Sequence, residues 1–379
     1  MKVCHFTSTH GNKDQRILIK ECCSLAKAGY EVCQVAQGDS GEYNGVKLIG
    51  TGETNKSSLY RLIIRPRKVY KLALAQDADI YQIHDMELLP YAVKLKKRGK
   101  IVIFDYHEDF ASRFEDSDIF HLPRGIMKIF GKMYNRYESK AIAKLDAMIS
   151  VTPHICKRLK ESNPNTVMVT NYPIIDKENP WASEALYDES SNYICFAGQV
   201  SCVQYALDTV VKAIQSIPGI RFRVYGNERR AGDIDFLKSI DEQAKMDYKG
   251  TVPFFELPKI LSGSKAAIVT AAYSKDTSGR YGTLGNNKLF EAMLRAVPVV
   301  FTNFDLWKEI NDKYSMGIPV EQGNIEEMRN AITWIVQNPA ESRAMGLRGR
   351  EAVFKEYNWK TQEDVLFRLY SDLTRKGKR

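Results

Sequence analysis

The chain has 379 residues, 44% hydrophobic and 27% charged, with a formal net charge of +9. That length predicts about two domains, each large enough to bury its own core. Its seven cysteines form no Cys-x-x-Cys pair, which excludes a disulfide framework or zinc module, and no run approaches the ~20 apolar residues of a membrane span.

The chain opens on the strand-like run Lys2-Val3-Cys4-His5-Phe6, without a signal-type apolar region. Short β-branched runs then alternate with helical stretches, the pattern of parallel sheets with crossover helices. Strands are expected at Val3–Thr7, Glu31–Val35, Ile80–Ile83, Ile101–Asp105 and Ala147–Val151. Between the first two, residues 15–28 carry Leu18, Cys22, Leu25 and Ala26 on one face of a helix. The polar, proline-containing stretch Ile174–Asn192 reads as a linker. The pattern then restarts, with strands expected at Tyr193–Ala197, Arg221–Tyr225, Lys245–Tyr248, Ala266–Thr270 and Val299–Thr302. After Pro339 the chain is helical through Trp359 to Leu373, then ends in a basic tail.

A basic balance suits nucleic acid, an anionic membrane surface or a phosphorylated ligand. No RNA-recognition signature, zinc finger or heptad run is present, so no nucleic-acid partner is expected. Residues 60–71 interleave Arg61, Arg65, Arg67, Lys68 and Lys71 with Leu62, Ile63, Ile64 and Val69, and Ile119–Phe130 is apolar with Arg124 and Lys128. Each is either a membrane-surface helix or a core helix with snorkelling basic residues. Cysteines in apolar runs read as small core residues of a protein in a reducing, cytoplasmic location.

In open α/β sheets, ligands bind beyond the carboxyl ends of the strands. Four of the six histidines, His10, His84, His107 and His154, follow strands there, beside carboxylates such as Asp14, Asp85, Glu108 and Asp109. Each is either a loop residue with a local hydrogen bond or part of a site. No helical His-x-x-x-His spacing supports a metal at His84, Asp85, His107 and Asp109, and the Asp-x-Asp triplets (Asp77/Asp79, Asp116/Asp118, Asp233/Asp235) read as solvated loops, so no metal is expected. The sharper signal is Thr283-Leu284-Gly285-Asn286-Asn287-Lys288-Leu289-Phe290-Glu291, a loop that becomes a helix. Backbone N–H groups at Gly285-Asn286 would favour a phosphate. Glu291, one turn inside, is placed to accept hydrogen bonds from a ribose diol, or else pairs with Lys288 on a solvated face. Walker and Gly-x-Gly-x-x-Gly fingerprints are absent.

The stretch Asn287-Lys288-Leu289-Phe290-Glu291-Ala292-Met293, followed by Ala296-Val297-Pro298-Val299-Val300, resembles family 4 retaining glycosyltransferases of the GT-B fold. Asp14-Gln15-Arg16-Ile17, His84-Asp85-Met86-Glu87 and Asp105-Tyr106-His107-Glu108-Asp109 resemble a bacterial surface-polysaccharide subgroup. Gly250-Thr251-Val252-Pro253 and Tyr357-Asn358-Trp359 fit as well.

The resemblance implies an α/β chain with two Rossmann-like, doubly wound domains facing across a cleft. Residues 1–175, completed by a C-terminal helix at about 358–379, would take a glycan or lipid-linked acceptor. Residues 176–357 would bind a UDP- or GDP-linked sugar donor, with no other cofactor. It implies catalytic roles for His107, Glu108 and Asp109, with His107 at the transferring sugar, and acceptor-side roles for His10, Asp14, Arg16, His84 and Asp85. The donor nucleotide would meet Gly198, Gln199, Gln204, Gly226, Asn227, Val252, Pro253, Thr283, Leu284, Gly285, Asn286, Lys288 and Glu291. Peripheral contact with the inner face of the cell membrane is also expected.

Two positions depart from the family pattern. Thr283 stands where a glutamate is usual. The stretch Gly198–Gln204 lacks the usual basic residues, with Gln204 where an arginine is common. Lys288 or Arg280 are candidates to compensate. Alternatives to transfer are a non-catalytic glycosyltransferase-like partner and a nucleotide-sugar epimerase.

Overall fold

Valine- and isoleucine-rich runs extend as strands, and intervening helices return the chain so that successive strands lie parallel. The computed structural model describes residues 1–52, 60–106, 124–175, 191–253, 256–275 and 277–376. The chain divides into two units, Met1–Asn171 with Trp359–Arg379, and Tyr172–Asn358.

The first unit holds β1 (Lys2–Gly11), β2 (Glu31–Gln37), β3 (Gly41–Tyr43), β4 (Val46–Gly50), β5 (Ile80–Ile83), β6 (Ile101–Tyr106), β7 (Ala147–Ser150) and β8 (Thr166–Met168). Their order is β3-β4-β2-β1-β5-β6-β7-β8. All pair in parallel except β3 with β4. Helices Arg65–Leu74, Leu89–Lys96 and Arg124–Ile142 put Val69, Leu89, Ala92 and Ile142 into one apolar layer with Phe6, Tyr81 and Phe104. The other layer takes Ile17, Leu18 and Leu25 from the helical stretch Gln15–Lys27. The terminal helix Trp359–Lys376 joins it, presenting Trp359, Leu366, Leu369, Tyr370 and Leu373 at helical spacing.

The second unit holds β9 (Tyr193–Ala197), β10 (Arg221–Tyr225), β11 (Met246–Gly250), β12 (Ala267–Val269), β13 (Val299–Thr302) and β14 (Gly317–Val320). All pair in parallel, in the order β11-β10-β9-β12-β13-β14. Four expected strands, Ile80–Ile83, Tyr193–Ala197, Arg221–Tyr225 and Val299–Thr302, have the bounds read from sequence. The expected strand at Lys245 starts one residue later and runs to Gly250.

The middle of the first unit is polar. Arg16 is 5% exposed and grips Asp105 with both arms of its fork, Nε to Oδ2 at 2.8 Å and Nη2 to Oδ1 at 2.7 Å. The same Nη2 lies 3.1 Å from Glu21 Oε1. Glu21 Oε2 accepts from Gln82 Nε2 at 2.6 Å, and Gln82 Oε1 accepts from the Tyr370 hydroxyl at 2.7 Å. His84 Nδ1 lies 3.1 Å from Asp105 Oδ2, and its Nε2 lies 3.1 Å from His5 Nδ1. His5 Nε2 lies 3.2 Å from the Tyr370 hydroxyl, which closes the ring of contacts.

One guanidinium here faces two carboxylates, so one further proton neutralises the group. Burial and then Asp105 push the Glu21 carboxyl pKa up. Burial and then His84 push the His5 imidazole down. Burial opposes the charge on Arg16, but Asp105 and Glu21 outweigh it and hold the guanidinium pKa above its ordinary value.

Asp105→Asn strips the buried guanidinium of its main counter-charge and is expected to cost the first unit ~3–5 kcal/mol in a urea titration. Asp77→Asn removes a 2.7 Å pair with Lys100 at an exposed carboxylate and is expected to leave the urea midpoint unchanged.

Candidate functional site

In the second unit the strand order runs outward in opposite directions from the β9–β12 pair. That reversal opens a crevice at the carboxyl edge of the sheet, where α/β folds bind their ligands. The loops after β9, β10 and β12 and the helix Asn287–Leu294 meet there.

The loop after β9 leaves through Gly198. Its N–H donates to Tyr225 O at 2.9 Å, and Val200 N–H donates to Asn227 O at 2.8 Å, so the loops after β9 and β10 are laced together. Two glycines make this lacing possible. Gly226 (φ +129°) lies so close that a Cβ would sit 1.9 Å from Gly198 O. At Gly198 (φ +154°) a Cβ would meet Lys288 Cε at 2.1 Å. Lys288 therefore crosses the space that a side chain would fill. Its Nζ stands 4.1 Å from the Tyr205 ring centroid and 5.5 Å from that of Phe196.

The helix Asn287–Leu294 buries Leu289, Phe290, Ala292, Met293 and Leu294 and leaves Asn287, Lys288 and Glu291 half-buried. Asn286 caps it, its side chain accepting from Lys288 N–H at 3.0 Å. Thr283 Oγ1 accepts from Gly285 N–H at 3.0 Å, and Thr283 O accepts from the Trp307 indole at 2.7 Å. The Gly285 N–H expected to face a phosphate is thus held by Thr283, the residue at the departing position.

Glu291 pairs with Arg295 one turn on, Oε2 to Nη2 at 3.8 Å. Burial lowers the Arg295 guanidinium pKa, and Glu291 opposes that shift. The alternative Lys288–Glu291 pair does not form, because Lys288 turns to the Tyr205 and Phe196 rings. Arg280 is engaged elsewhere, 2.5 Å from Glu321 and 3.8 Å from Asp305. Of the two candidate cations, Lys288 lies beside Gly198 and Arg280 is spent on carboxylates.

Gln204 accepts a hydrogen bond from Arg229 Nη1 through its amide oxygen. Its backbone oxygen accepts from Ala272 N–H at 2.7 Å, which ties it to the end of β12. Gln199 and Asn227 lie in the laced loops, Val252 and Leu284 each pack on the apolar core, and Pro253 O accepts from Glu256 N–H at 3.0 Å.

In the first unit, Asp85 is 2% exposed and collects Thr7 Oγ1 at 2.7 Å, Ser8 N–H at 2.6 Å and the Thr9 hydroxyl. It thereby fixes the turn after β1. His10 stands half-buried beside it, Nδ1 3.1 Å from Asp14 Oδ2 and Nε2 3.8 Å from Asp85 Oδ1. Asp14 also caps the next helical turn, accepting from Arg16 N–H at 2.8 Å and Ile17 N–H at 2.9 Å. The structure therefore brings His10, Asp14 and Asp85 together at the carboxyl edge. It draws Arg16 and His84 into the buried core instead. His107, Glu108 and Asp109 lie outside the described residues.

Among the described residues, His5, Glu21 and His84 place potential metal-ligating atoms within 4.8 Å of one another. Those atoms are already engaged with one another and with Asp105, Gln82, Arg16 and Tyr370. Tyr205, Phe196 and Trp307 were not singled out from the sequence. The only signal they carry is their position: an aromatic ends β9 and others follow strands, which is equally common in cores.

Two family patterns match the chain: "Glycosyltransferase Family 4" over residues 16–178 and "Glycosyl transferase-like" over residues 207–366. The fold is similar to sucrose-phosphate synthase (tll1590) from Thermosynechococcus elongatus, with TM-score 0.75 and 16% identity, covering 99% of this chain and 100% of that one. It is similar to Anabaena Alr3699/HepE, solved in complex with UDP and glucose, with TM-score 0.69 and 12% identity over 98% and 99% of the two chains. WaaG, a glycosyltransferase involved in lipopolysaccharide biosynthesis, matches with TM-score 0.68 and 11% identity over 96% and 98%. No curated protein matches the chain by sequence.

The two glycines are expected to respond differently to alanine. Gly226→Ala drives a Cβ into a backbone carbonyl and should cost the second unit roughly 3 kcal/mol or more in urea. Gly198→Ala meets the flexible end of Lys288 and should cost about 1–2 kcal/mol while displacing the lysine from the Tyr205 ring.

Proposed function

Because the chain belongs to glycosyltransferase family 4 and has the GT-B fold, we propose that it moves a sugar, with retention of configuration, from a UDP- or GDP-linked donor to a glycan or lipid-linked acceptor in surface polysaccharide synthesis. The observation that carries this reading is Glu291, half-buried on the helix that borders the β9–β12 crevice and steadied by Arg295. A carboxylate there can accept both hydroxyls of a ribose, while Lys288 offsets phosphate charge. Transfer needs a stabilised diphosphate leaving group, and electrostatic stabilisation of that kind is the largest single catalytic effect such a site can supply. His107, Glu108 and Asp109, which follow β6 in the chain, are the proposed contacts to the transferring sugar. His10, Asp14 and Asp85 are the proposed acceptor side. The nucleotide-sugar is the co-substrate, and no metal or other cofactor is invoked.

The test is turnover of a nucleotide-sugar panel, with product configuration read by NMR. Glu291→Ala is expected to lower kcat/KM by about 100-fold, a loss of ~2.7 kcal/mol. Equal activity in the two proteins sinks the role given to Glu291, and an inverted product sinks retention.

The proposed workplace is the cytoplasmic face of a membrane. No helix among the described residues is long and apolar enough to cross one. In the first unit, however, Leu62, Ile63 (58% exposed) and Ile64 lie open beside Arg61, and Ile129, Phe130 and Met133 (64% exposed) beside Lys132 and Arg136. Both segments open helices that begin at the carboxyl edge of the same sheet face. Apolar side chains ringed by basic ones suit an anionic bilayer. The protein should sediment with vesicles containing anionic lipid, and Ile63→Glu with Phe130→Glu should release it. Retention of that double variant on the vesicles overturns the assignment.

A further inference from the structure

The family's usual cation after β9 is missing, and the structure shows a different source of charge at that point. Gln204, at the departing position, does not stand alone. Its amide oxygen accepts a hydrogen bond from Arg229 Nη1, which reaches across from the loop after β10. Arg229 is anchored at its backbone as well, its N–H donating to Val200 O at 2.8 Å. The next residue, Tyr205, holds Lys288 over its ring. Two cations therefore converge on consecutive residues, 204 and 205, at the β9–β12 crevice.

The nature of their supports matters. Arg280 is neutralised by Glu321, and Arg295 pairs with Glu291. Arg229 is held by a neutral amide, and Lys288 by neutral ring faces. Neither makes an ion pair among the described residues. An amide fixes the direction of a guanidinium without cancelling its charge, and four of its five N–H donors stay available. Burying an apolar residue at position 204 would serve packing alone. A glutamate there would quench the charge.

We propose that Arg229, oriented by Gln204, acts with Lys288 as the cationic clamp for the diphosphate of the donor, replacing the residue the family carries after β9. This rests on the donor-site reading above and deepens it. Arg229 is the binding residue, and Gln204 is a positioning residue acting through it. The arrangement also explains why a glutamine is tolerated at 204: its role is to aim a charge supplied by the neighbouring loop.

Calorimetry separates the two levels. Wild type, Arg229→Ala, Gln204→Ala and Arg230→Ala would be titrated with UDP and GDP, and with uridine and guanosine. The expected result is diphosphate affinity about 10- to 100-fold weaker in Arg229→Ala, the range for losing charge-assisted hydrogen bonds. Nucleoside affinity should stay unchanged, since the base and ribose contacts are elsewhere. Gln204→Ala should weaken diphosphate by a smaller factor, Gln204→Asn should restore part of it, and Arg230→Ala should match wild type. Arg229→Ala binding diphosphate like wild type overturns the clamp and leaves the donor site standing. Equal losses of nucleoside and diphosphate in Arg229→Ala also overturn it, because they mark a general structural effect. A wild type that binds neither UDP nor GDP overturns the donor site itself and the clamp with it.

Discussion

The first unit is organised around one charge that cannot be left alone. A guanidinium buried without a partner costs several kcal/mol, so Arg16 requires Asp105, and the pair requires the polar groups that surround it. Those groups come from far apart in the chain: His5 on β1, Glu21 after it, Gln82 and His84 around the end of β5, Asp105 on β6 and Tyr370 on the terminal helix. Adjacent strands must therefore keep their register, because a one-residue slip would turn each polar side chain to the opposite face. An apolar core tolerates small sliding; a hydrogen-bonded network of this kind does not. The carboxyl-edge turn held by Asp85 inherits its position from the same strands.

The second unit solves a different problem. At its carboxyl edge two cations, Arg229 and Lys288, are held in place with no carboxylate paired to them among the described residues. Amide and aromatic supports do this at Arg229 and Lys288, and two glycines bring the loops close enough for the supports to reach. The first unit buries its central charge and cancels it; in the second, Arg280 and Arg295 meet carboxylates while Arg229 and Lys288 rest on neutral groups. On the proposed reading, this contrast is the physical difference between a core and a donor site.

The central strands were legible because buried parallel strands are near-continuous β-branched runs. The strands missed were β3, β4, β8 and β14, at or beside the sheet edges. There one-sided exposure dilutes the pattern. β14 even contains Pro319, which an edge strand admits because one side of its ladder needs no donor. At the site, the Glu291 helix was legible from its apolar face and the loop that leads into it, and its Asn286 cap was not read. The histidines were only half legible: His10 and His84 each sit beside a carboxylate in sequence, and nothing local says that one meets the edge while the other meets the core. Arg229 was invisible, since an Arg-Arg pair in a polar loop carries no spacing, and its value comes from a glutamine on another loop.

Tyr370 has an implication for the order in which the molecule becomes itself. Its hydroxyl closes the polar ring against His5, 365 positions earlier in the chain. As the polypeptide leaves the ribosome, the entire second unit emerges before this residue does. Until then the first unit lacks the group that satisfies Gln82, and it also lacks the apolar cover of Trp359, Leu366 and Leu373. The opening segment, nearly half of the chain, must wait, incompletely sealed, while the second unit is synthesised and is free to fold. The first segment made is thus the last to be finished, because the helix that seals it, Trp359–Lys376, follows the second unit in the chain.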